Sequence, residues 1–134
     1  MLTRDLHPRL KEAQGASVVN VASSAGLVSV PNTAIYGALK GALTQLTRGL
    51  AVEWSPDRIR VNTVSPWFTR TPRLEALLSE PEVVDRILAR TPLGRLAEAE
   101  EIASVIVFLC MRASSYMTGQ NLIVDGGATI AGIL

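Results

Sequence analysis

The sequence predicts an α/β protein whose strands form a parallel sheet. Three short apolar runs, at residues 16–22, 58–65 and 121–124, are separated by segments with helical periodicity. Near-continuous apolar runs are typical of parallel strands that helices cover on both faces. Hydrophobic residues make up 48% of the chain and aromatic residues only 4%, a bias that suits close-packed strands and helices. Alternating strands and helices imply parallel strands joined by right-handed crossovers.

The first half of the chain contains two predicted helices. Residues 2–14 form a helix that Gly15 ends. A turn-rich stretch then leads into a long helix at residues 33–54, which Pro56 breaks. The apolar stripe of this long helix consists of Ala38, Ala42, Leu43, Leu46 and Leu50.

The second half begins with a loop at residues 66–72 that follows the second strand. Short helices within residues 73–90 are split by a Ser-Glu-Pro sequence at residues 79–81. Acidic residues at positions 98, 100 and 101 open another helix, which runs to about Met111, because carboxylates suit the positive end of the helix dipole. The last strand follows at residues 121–124.

Length and charge restrict the classes of function. A chain of 134 residues is one domain at most. Its net charge of +1 gives no electrostatic argument for a nucleic acid or a membrane as partner. No stretch approaches the roughly 20 apolar residues of a membrane span, and the first residues lack the apolar core of a secretory signal. We therefore expect a cytoplasmic protein.

The chain has one cysteine and one histidine. Cys110 cannot form an internal disulfide, and its place at the end of an apolar helix predicts a small core residue rather than a catalytic thiol. His7 lacks the companions that a metal site or a histidine-activated nucleophile needs, so we expect no metal.

The strongest candidate for chemistry is the pair formed by Tyr36 and Lys40. Residues four apart on a helix share a face, and an ammonium beside a phenol lowers the pKa of the tyrosine. Tyr36 then becomes an acid or base near neutral pH. Ser23 or Ser24, at the end of the preceding strand, could hold a substrate oxygen opposite it, although Ser23 could also simply cap a turn. The loop after Pro66 ends the neighbouring strand, so it meets them at the same edge of the sheet.

The segments around this pair resemble the motifs of the short-chain dehydrogenases/reductases. They are residues 18–26 (VVNVASSAG), 36–42 (YGALKGA), 59–66 (IRVNTVSP), 92–95 (PLGR), 114–120 (SSYMTGQ) and 124–127 (VDGG). They occur in the order of that family and at similar spacing, and the resemblance covers about residues 6–127. Residues 66–72 (PWFTRTP) are similar to the tropinone reductase-like branch of the family.

The resemblance implies roles for individual residues. Ser23, thirteen residues before Tyr36, polarises the substrate carbonyl, and it is preferred over Ser24 on spacing. Tyr36 donates the proton to the developing alkoxide. Lys40 binds the ribose of the cofactor and lowers the pKa of the tyrosine.

The resemblance also implies a nicotinamide cofactor, NADP or NAD, with NADP favoured. Its binding residues are Tyr36, Lys40, Pro66, Thr69 and Thr71. A backbone group at Thr69 pairs with the carboxamide, and Thr71 reaches towards the phosphates. The family places its substrate lid at residues 73–90, and the leucines of that segment suggest a small hydrophobic ketone or alcohol. Trp67 and Phe68 are equally consistent with packing and with lining the substrate.

Members of the family open with a Gly-rich turn that cradles the cofactor pyrophosphate, and no such turn occurs in this sequence. We therefore expect residues 1–134 to be the C-terminal part of one Rossmann-like domain, a partial doubly wound parallel sheet with three strands and covering helices. The dinucleotide-binding half is then absent, and this chain alone is nearly inactive. The expected function is NAD(P)H-dependent reduction of a carbonyl, or oxidation of a secondary alcohol, in a homo-oligomer. The alternative is a truncated, non-catalytic remnant that serves only in interaction or oligomerisation.

Overall fold

Among the described residues, the sheet at the centre of the fold has three parallel strands. A computed structural model describes residues 2–131, apart from the side chains of Leu2 and Arg73. The strands lie in the order β1 (Ser17–Val21), β2 (Arg60–Pro66) and β3 (Asn121–Val124). β2 pairs with both of the others, so β1 and β3 are the edge strands of the described part of the chain.

Helices cover both faces of this sheet. Along a strand, successive side chains point to opposite faces. Thr63 of β2 forms a hydrogen bond with Thr47, and the next residue, Val64, packs with Leu109. The helices are α1 (Leu2–Glu12), α2 (Ala34–Trp54), α3 (Glu75–Leu78), α4 (Pro81–Ala89) and α5 (Ala99–Cys110). Since Thr47 lies on α2 and Leu109 on α5, these two helices lie on opposite faces, and the predicted α/β class with a parallel sheet is confirmed.

Two apolar clusters hold the layers together. One lies between α2 and the sheet, and the other lies between α5 and the sheet. Their buried members are Leu50, Ala51, Trp54, Ile59 and Val61 on the α2 side, and Val64, Ile102 and Leu109 on the α5 side. Burying an aliphatic or aromatic side chain stabilises the fold by about 1.5–3 kcal/mol each, so these clusters determine how α2 and α5 sit on the strands.

The buried face of α2 differs from the predicted apolar stripe. Among the stripe residues only Leu50 is buried, and Ala38, Ala42 and Leu46 are exposed. The helix meets the sheet instead through Thr44, Thr47, Leu50, Ala51 and Trp54. The prediction was wrong because Thr47 accepts hydrogen bonds from Asn20 and from Thr63, so the sheet itself supplies polar partners for a buried polar side chain.

The element boundaries agree with the sequence to within a few residues. β2 begins at Arg60 rather than at residue 58, because Arg58 adopts a left-handed conformation (φ 60°) that ends a short 3-10 turn. α1 ends at Glu12, two residues earlier than expected. α5 begins with a capping box in which Glu98 and Glu101 exchange hydrogen bonds with each other's backbone, as the acidic start suggested. Cys110 is exposed, so its predicted burial was wrong.

Candidate active site

The first candidate residue, Ser23, lies where β1 ends. The last backbone bond between β1 and β2 is Ala22 N–H to Val64 O, at 2.8 Å. Ser23 is still extended (φ −167°, ψ 149°), and the chain then turns into a 3-10 turn at Ser24–Gly26. The Ser23 Oγ accepts a hydrogen bond from Ala25 N at 3.2 Å, so Ser23 does cap this turn. Because the oxygen is the acceptor there, the hydroxyl hydrogen stays available to a further acceptor.

The second serine is placed differently. Ser24 is fully buried, and its hydroxyl donates a hydrogen bond to the backbone oxygen of Pro66 at 2.8 Å. Pro66 is the last residue of β2. Between the two candidates, Ser23 is therefore the half-buried serine, and Ser24 is committed to a contact inside the protein.

Tyr36 and Lys40 lie on successive turns at the start of α2, with Tyr36 exposed at its surface. The Lys40 ammonium is 5.6 Å from the centroid of the Tyr36 ring, within the range of a cation–π contact. The same ammonium donates a hydrogen bond to the backbone oxygen of Val21 at 2.9 Å. The predicted pairing of these two side chains is therefore present. The hydrogen bond of Lys40 to Val21 also connects the start of α2 to the end of β1.

Close backbone contact holds the turn after β1 against α2. A Cβ atom added at Gly37 would lie 2.6 Å from Ala25 O, and one added at Gly26 would lie 2.7 Å from Gly41 N. Real side chains do not tolerate such distances, so Gly26 and Gly37 allow the two backbones to touch. This contact brings the turn that carries Ser23 to the helix that carries Tyr36.

The loop after β2 continues the same edge of the sheet. Trp67 N–H donates to Val124 O at 3.1 Å, and its indole Nε1 donates to Thr91 Oγ1 at 3.2 Å. The Trp67 ring meets Phe68 edge to face, with centroids 4.9 Å apart. The sequence left open whether these aromatic residues pack or line the substrate, and the contacts observed here are packing contacts. Trp67 and Phe68 both border a small cavity of about 80 Å³.

The two threonines of this loop have different surroundings. Thr69 is buried, and its hydroxyl donates to Trp67 O at 3.1 Å, which leaves its backbone as the part that could meet a ligand. Backbone bonds between residues 68–70 and Ala97 hold the loop in place. Thr71 is half-buried and precedes the 3-10 turn Pro72–Leu74, to which its hydroxyl makes no capping bond.

A tight turn after β3 lies at the same edge of the sheet as the loop after β2. Asp125 accepts hydrogen bonds from Gly127 N and Thr129 N, at 2.9 and 2.7 Å, and from the Thr129 hydroxyl. Burial raises the pKa of Asp125, but these hydrogen bonds outweigh burial and leave the pKa below its ordinary value. A charged Asp125 therefore stabilises the turn that borders the loop.

The described residues contain no group of three or more His, Cys, Asp and Glu side chains that could hold a metal ion. His7 lies on α1, with Nε2 3.0 Å from Asp57 Oδ2, shortly before β2 begins, and with its ring against Trp54. The Lys11 ammonium donates to Asp57 Oδ1 at 2.7 Å, and this hydrogen bond is the main reason why the pKa of Asp57 is low. None of the helices in the described part of the chain is both long enough and apolar enough to cross a membrane.

Sequence reasoning placed Ser23, Tyr36 and Lys40 at one strand end but missed two contacts. These are Lys40 with Val21 O and Ser24 with Pro66 O. Each acceptor is a backbone oxygen, which no residue type can reveal. For Ser24 the sequence offers one usable signal. Every second residue of β1 points its backbone groups towards β2, and residue 24 follows in the same alternation.

Comparison with known proteins supports one family. A family model described as enoyl-(acyl carrier protein) reductase matches residues 1–129. Tropinone reductase homolog At5g06060 of Arabidopsis thaliana is 51% identical over 131 residues, which are 98% of this chain and 50% of that protein. A tropinone reductase homolog of Datura stramonium is 43% identical over 131 residues, 96% of this chain and 49% of that protein. The chain spans about half the length of these curated relatives.

Solved structures of dehydrogenases have the same fold as this chain. Gluconate 5-dehydrogenase from Burkholderia cenocepacia J2315, in complex with NADP and tartrate, superposes with a TM-score of 0.92 at 30% identity over 96% of this chain and 51% of the other. A 4-hydroxyisoleucine dehydrogenase complexed with NADH superposes with a TM-score of 0.93 at 33% identity over 98% of this chain and 54% of the other.

Proposed function

Since this chain belongs to the short-chain dehydrogenase/reductase family, as the match over residues 1–129 shows, we propose that it carries the catalytic residues of a nicotinamide-dependent oxidoreductase. The reaction is the reduction of a carbonyl on a small hydrophobic substrate, or the oxidation of the corresponding secondary alcohol. The observation that carries the proposal is the Lys40 ammonium, which lies 5.6 Å from the Tyr36 ring and is anchored at the end of β1 beside Ser23.

Each catalytic side chain has a distinct task in the proposed reaction. Ser23 donates its free hydroxyl hydrogen to the substrate oxygen and so polarises the carbonyl. Tyr36 gives its proton to the same oxygen as negative charge develops on it, which is general acid catalysis. Lys40 holds positive charge on the Tyr36 side of the site. In the direction of oxidation the same three groups act in reverse, and Tyr36 removes the proton of the alcohol.

The residues present fit one end of a nicotinamide cofactor, which supplies or accepts a hydride when it is bound. Lys40 uses one of its three donors on Val21 O and keeps two for ribose hydroxyls. We assign the backbone at Pro66 and Thr69 to the nicotinamide end and the Thr71 hydroxyl to the phosphates. The chain has no Gly-rich turn for the pyrophosphate. We propose that a segment corresponding to the remaining half of the relatives supplies it.

We favour NADP over NAD, as the family resemblance implies. The solved neighbours include one complex with NADP and one with NADH, so both cofactors are in use among similar structures. A hydrophobic substrate is supported by Leu74 and Leu78, which follow the loop after β2 in the chain and are half-buried. A cytoplasmic location stays a prediction, and one relative, Tropinone reductase homolog At2g29260 of Arabidopsis thaliana, is named as chloroplastic.

The test uses a chimera in which this chain replaces the segment that it matches in At5g06060. We expect the purified chimera to oxidise NADPH in the presence of at least one member of a panel of small hydrophobic ketones. The 134-residue chain by itself should bind neither NADPH nor NADH at micromolar concentration, because it lacks the pyrophosphate turn. A folded chimera that binds cofactor but reduces none of the panel would favour the non-catalytic remnant instead.

A further inference from the structure

A side-chain hydrogen bond continues the pairing of β1 with β2 beyond their last backbone hydrogen bond. The pairing runs from Ser17 opposite Arg60 to Val21 opposite Val64, a constant offset along both strands. Ala22 N–H, the last backbone donor of β1, reaches Val64 O. If the ladder continued by one step, Ser23 would lie opposite the last residue of β2, and the next donor would be the N–H of residue 24.

The chain turns away before that step can occur. Residue 24 begins the 3-10 turn Ser24–Gly26, and the acceptor that its N–H would have met is the backbone oxygen of Pro66. The Ser24 hydroxyl meets this oxygen instead, at 2.8 Å. A side-chain donor thus replaces the backbone donor at the position where the ladder would have had its next hydrogen bond.

We propose that Ser24 is a positioning residue for the reaction described above, on which this inference rests. Its hydrogen bond holds the carboxyl ends of β1 and β2 together, so that Ser23 stays opposite Pro66. The substrate-binding hydroxyl belongs to one strand end and the cofactor-binding loop to the other. Ser24 therefore determines the distance between the two parts of the site without touching substrate or cofactor.

Burial makes this contact effective. Ser24 has no exposed surface, so water cannot readily replace its hydroxyl if the side chain is shortened. Without a donor, Pro66 O would keep a partner only if the strand ends moved apart and admitted water. A displacement of about 1 Å can cost roughly 100-fold in rate when it alters the alignment of reacting groups. The strand ends carry those groups here.

A matched control is available one residue before Pro66. Ser65 is also fully buried, and its hydroxyl donates a single hydrogen bond, to Asn121 Oδ1 at 2.7 Å. That bond connects β2 to β3, not to β1. Ser24→Ala and Ser65→Ala therefore each remove one buried hydrogen bond from the same end of β2, but only Ser24→Ala releases β1.

The experiment compares both variants in the chimera. We expect both to lower the melting temperature by a few degrees, and we expect Ser24→Ala alone to lower kcat, by about ten-fold or more, with the KM for NADPH changed less than about three-fold. Ser24→Cys, which keeps a weak donor of similar size, should recover part of kcat. Equal kcat values for Ser24→Ala and Ser65→Ala would overturn the proposal.

A second readout separates this proposal from the proposed function. Amide hydrogen exchange, followed by mass spectrometry, reports whether residues 20–25 and 66–70 loosen. Ser24→Ala, or Ser24→Cys if the alanine variant does not fold, should speed exchange in both segments, whereas Ser65→Ala should leave residues 20–25 unchanged. If the chimera is inactive yet shows this pattern, the proposed reaction fails and the structural role of Ser24 stands. Unchanged exchange in residues 20–25 rejects the role of Ser24 whatever the activity.

Discussion

At the scale of single residues, Lys40 connects the start of α2 to the end of β1. Its ammonium contacts the Tyr36 ring and the backbone of Val21, two residues before Ser23. A compact ammonium on a flexible stem can make both contacts and still keep donors for a ligand. The lysine is therefore expected to act in binding and in turnover, whereas the tyrosine acts in turnover.

These separate tasks predict different effects of two substitutions in the chimera. Tyr36→Phe removes the proton donor, so kcat should fall by about 10²–10⁴-fold while the affinity for NADPH is largely retained. Lys40→Ala should lower kcat and also weaken cofactor binding. Steady-state kinetics and a fluorescence titration with NADPH measure the two quantities. Normal turnover in Tyr36→Phe would remove the catalytic assignment.

At the scale of elements, the contact between α2 and the turn after β1 depends on the absence of side chains. Gly37 lies against Ala25 O, and Gly26 against Gly41 N. Gly49, further along α2, has nothing within 4 Å of an added Cβ. An added methyl group on α2 would therefore meet the backbone of the neighbouring turn at Gly37 but open space at Gly49.

Gly37→Ala should destabilise the protein by about 1–3 kcal/mol, because the methyl group can be accommodated only if the backbones move apart. Gly49→Ala is the control and should stabilise by up to about 1 kcal/mol, since alanine favours the helix and meets no obstacle. Urea denaturation of the chimera measures both changes. A stability of Gly37→Ala equal to that of the unsubstituted protein would show that the close contact does not exist in solution.

A second element-scale prediction concerns the start of α5. The guanidinium of Arg95, paired with both oxygens of Glu101 at 2.7 Å, lowers the pKa of Glu101 to about 2, and the N–H of Glu98 adds to the effect. A carboxylate with a depressed pKa stabilises the fold fully above its ordinary pKa of 4.5, and this contribution is lost as the pH falls from 4.5 towards 2.

Glu101→Gln removes the titrating group and keeps the size of the side chain. The melting temperature of the chimera should therefore exceed that of Glu101→Gln at pH 6, and the difference should shrink as the pH is lowered towards 2. Thermal unfolding followed by circular dichroism at several pH values provides the comparison. A difference that is constant across this range would mean that Glu101 is not held in its charged form by Arg95.

At the scale of the whole molecule, α2 exposes apolar side chains that a monomer would leave in water. Ile35, Leu39 and Leu46 are exposed by 80%, 65% and 37%, and with Ala42 they form one stripe along the helix. Val52 is also exposed, by 78%, but lies roughly 100° around the helix from this stripe. The outer edge of β1 is unpaired among the described residues. Both features favour association with another chain.

We therefore predict that the 134-residue chain is either insoluble or self-associated, with the stripe on α2 as the contact. Leu39→Lys should shift the chain towards the monomer, because a charge in an apolar interface is costly. Val52→Lys is the control, which adds the same charge outside the stripe and should leave the assembly unchanged. Sizing chromatography with light scattering measures the mass. A monodisperse monomer of the unsubstituted chain would contradict the prediction.

The sequence by itself determined the elements, the parallel sheet and the pairing of Tyr36 with Lys40. These features depend on local periodicity, since a four-residue spacing places both side chains on one helix face and apolar β-branched runs favour buried strands. The acidic start of α5 was readable for the same reason, because its capping residues are neighbours in sequence.

Only the tertiary structure decided which partners the site residues found. Ser24 meets Pro66 across 42 residues, and Lys40 meets Val21 across 19. The buried face of α2 was likewise decided by partners on β1 and β2, which made Thr47 a core residue. Local sequence sets backbone conformation, but the acceptors in the site are backbone oxygens, which are alike at every position. Their selection depends on which strand ends the folded chain brings together, and only the packed structure contains that information.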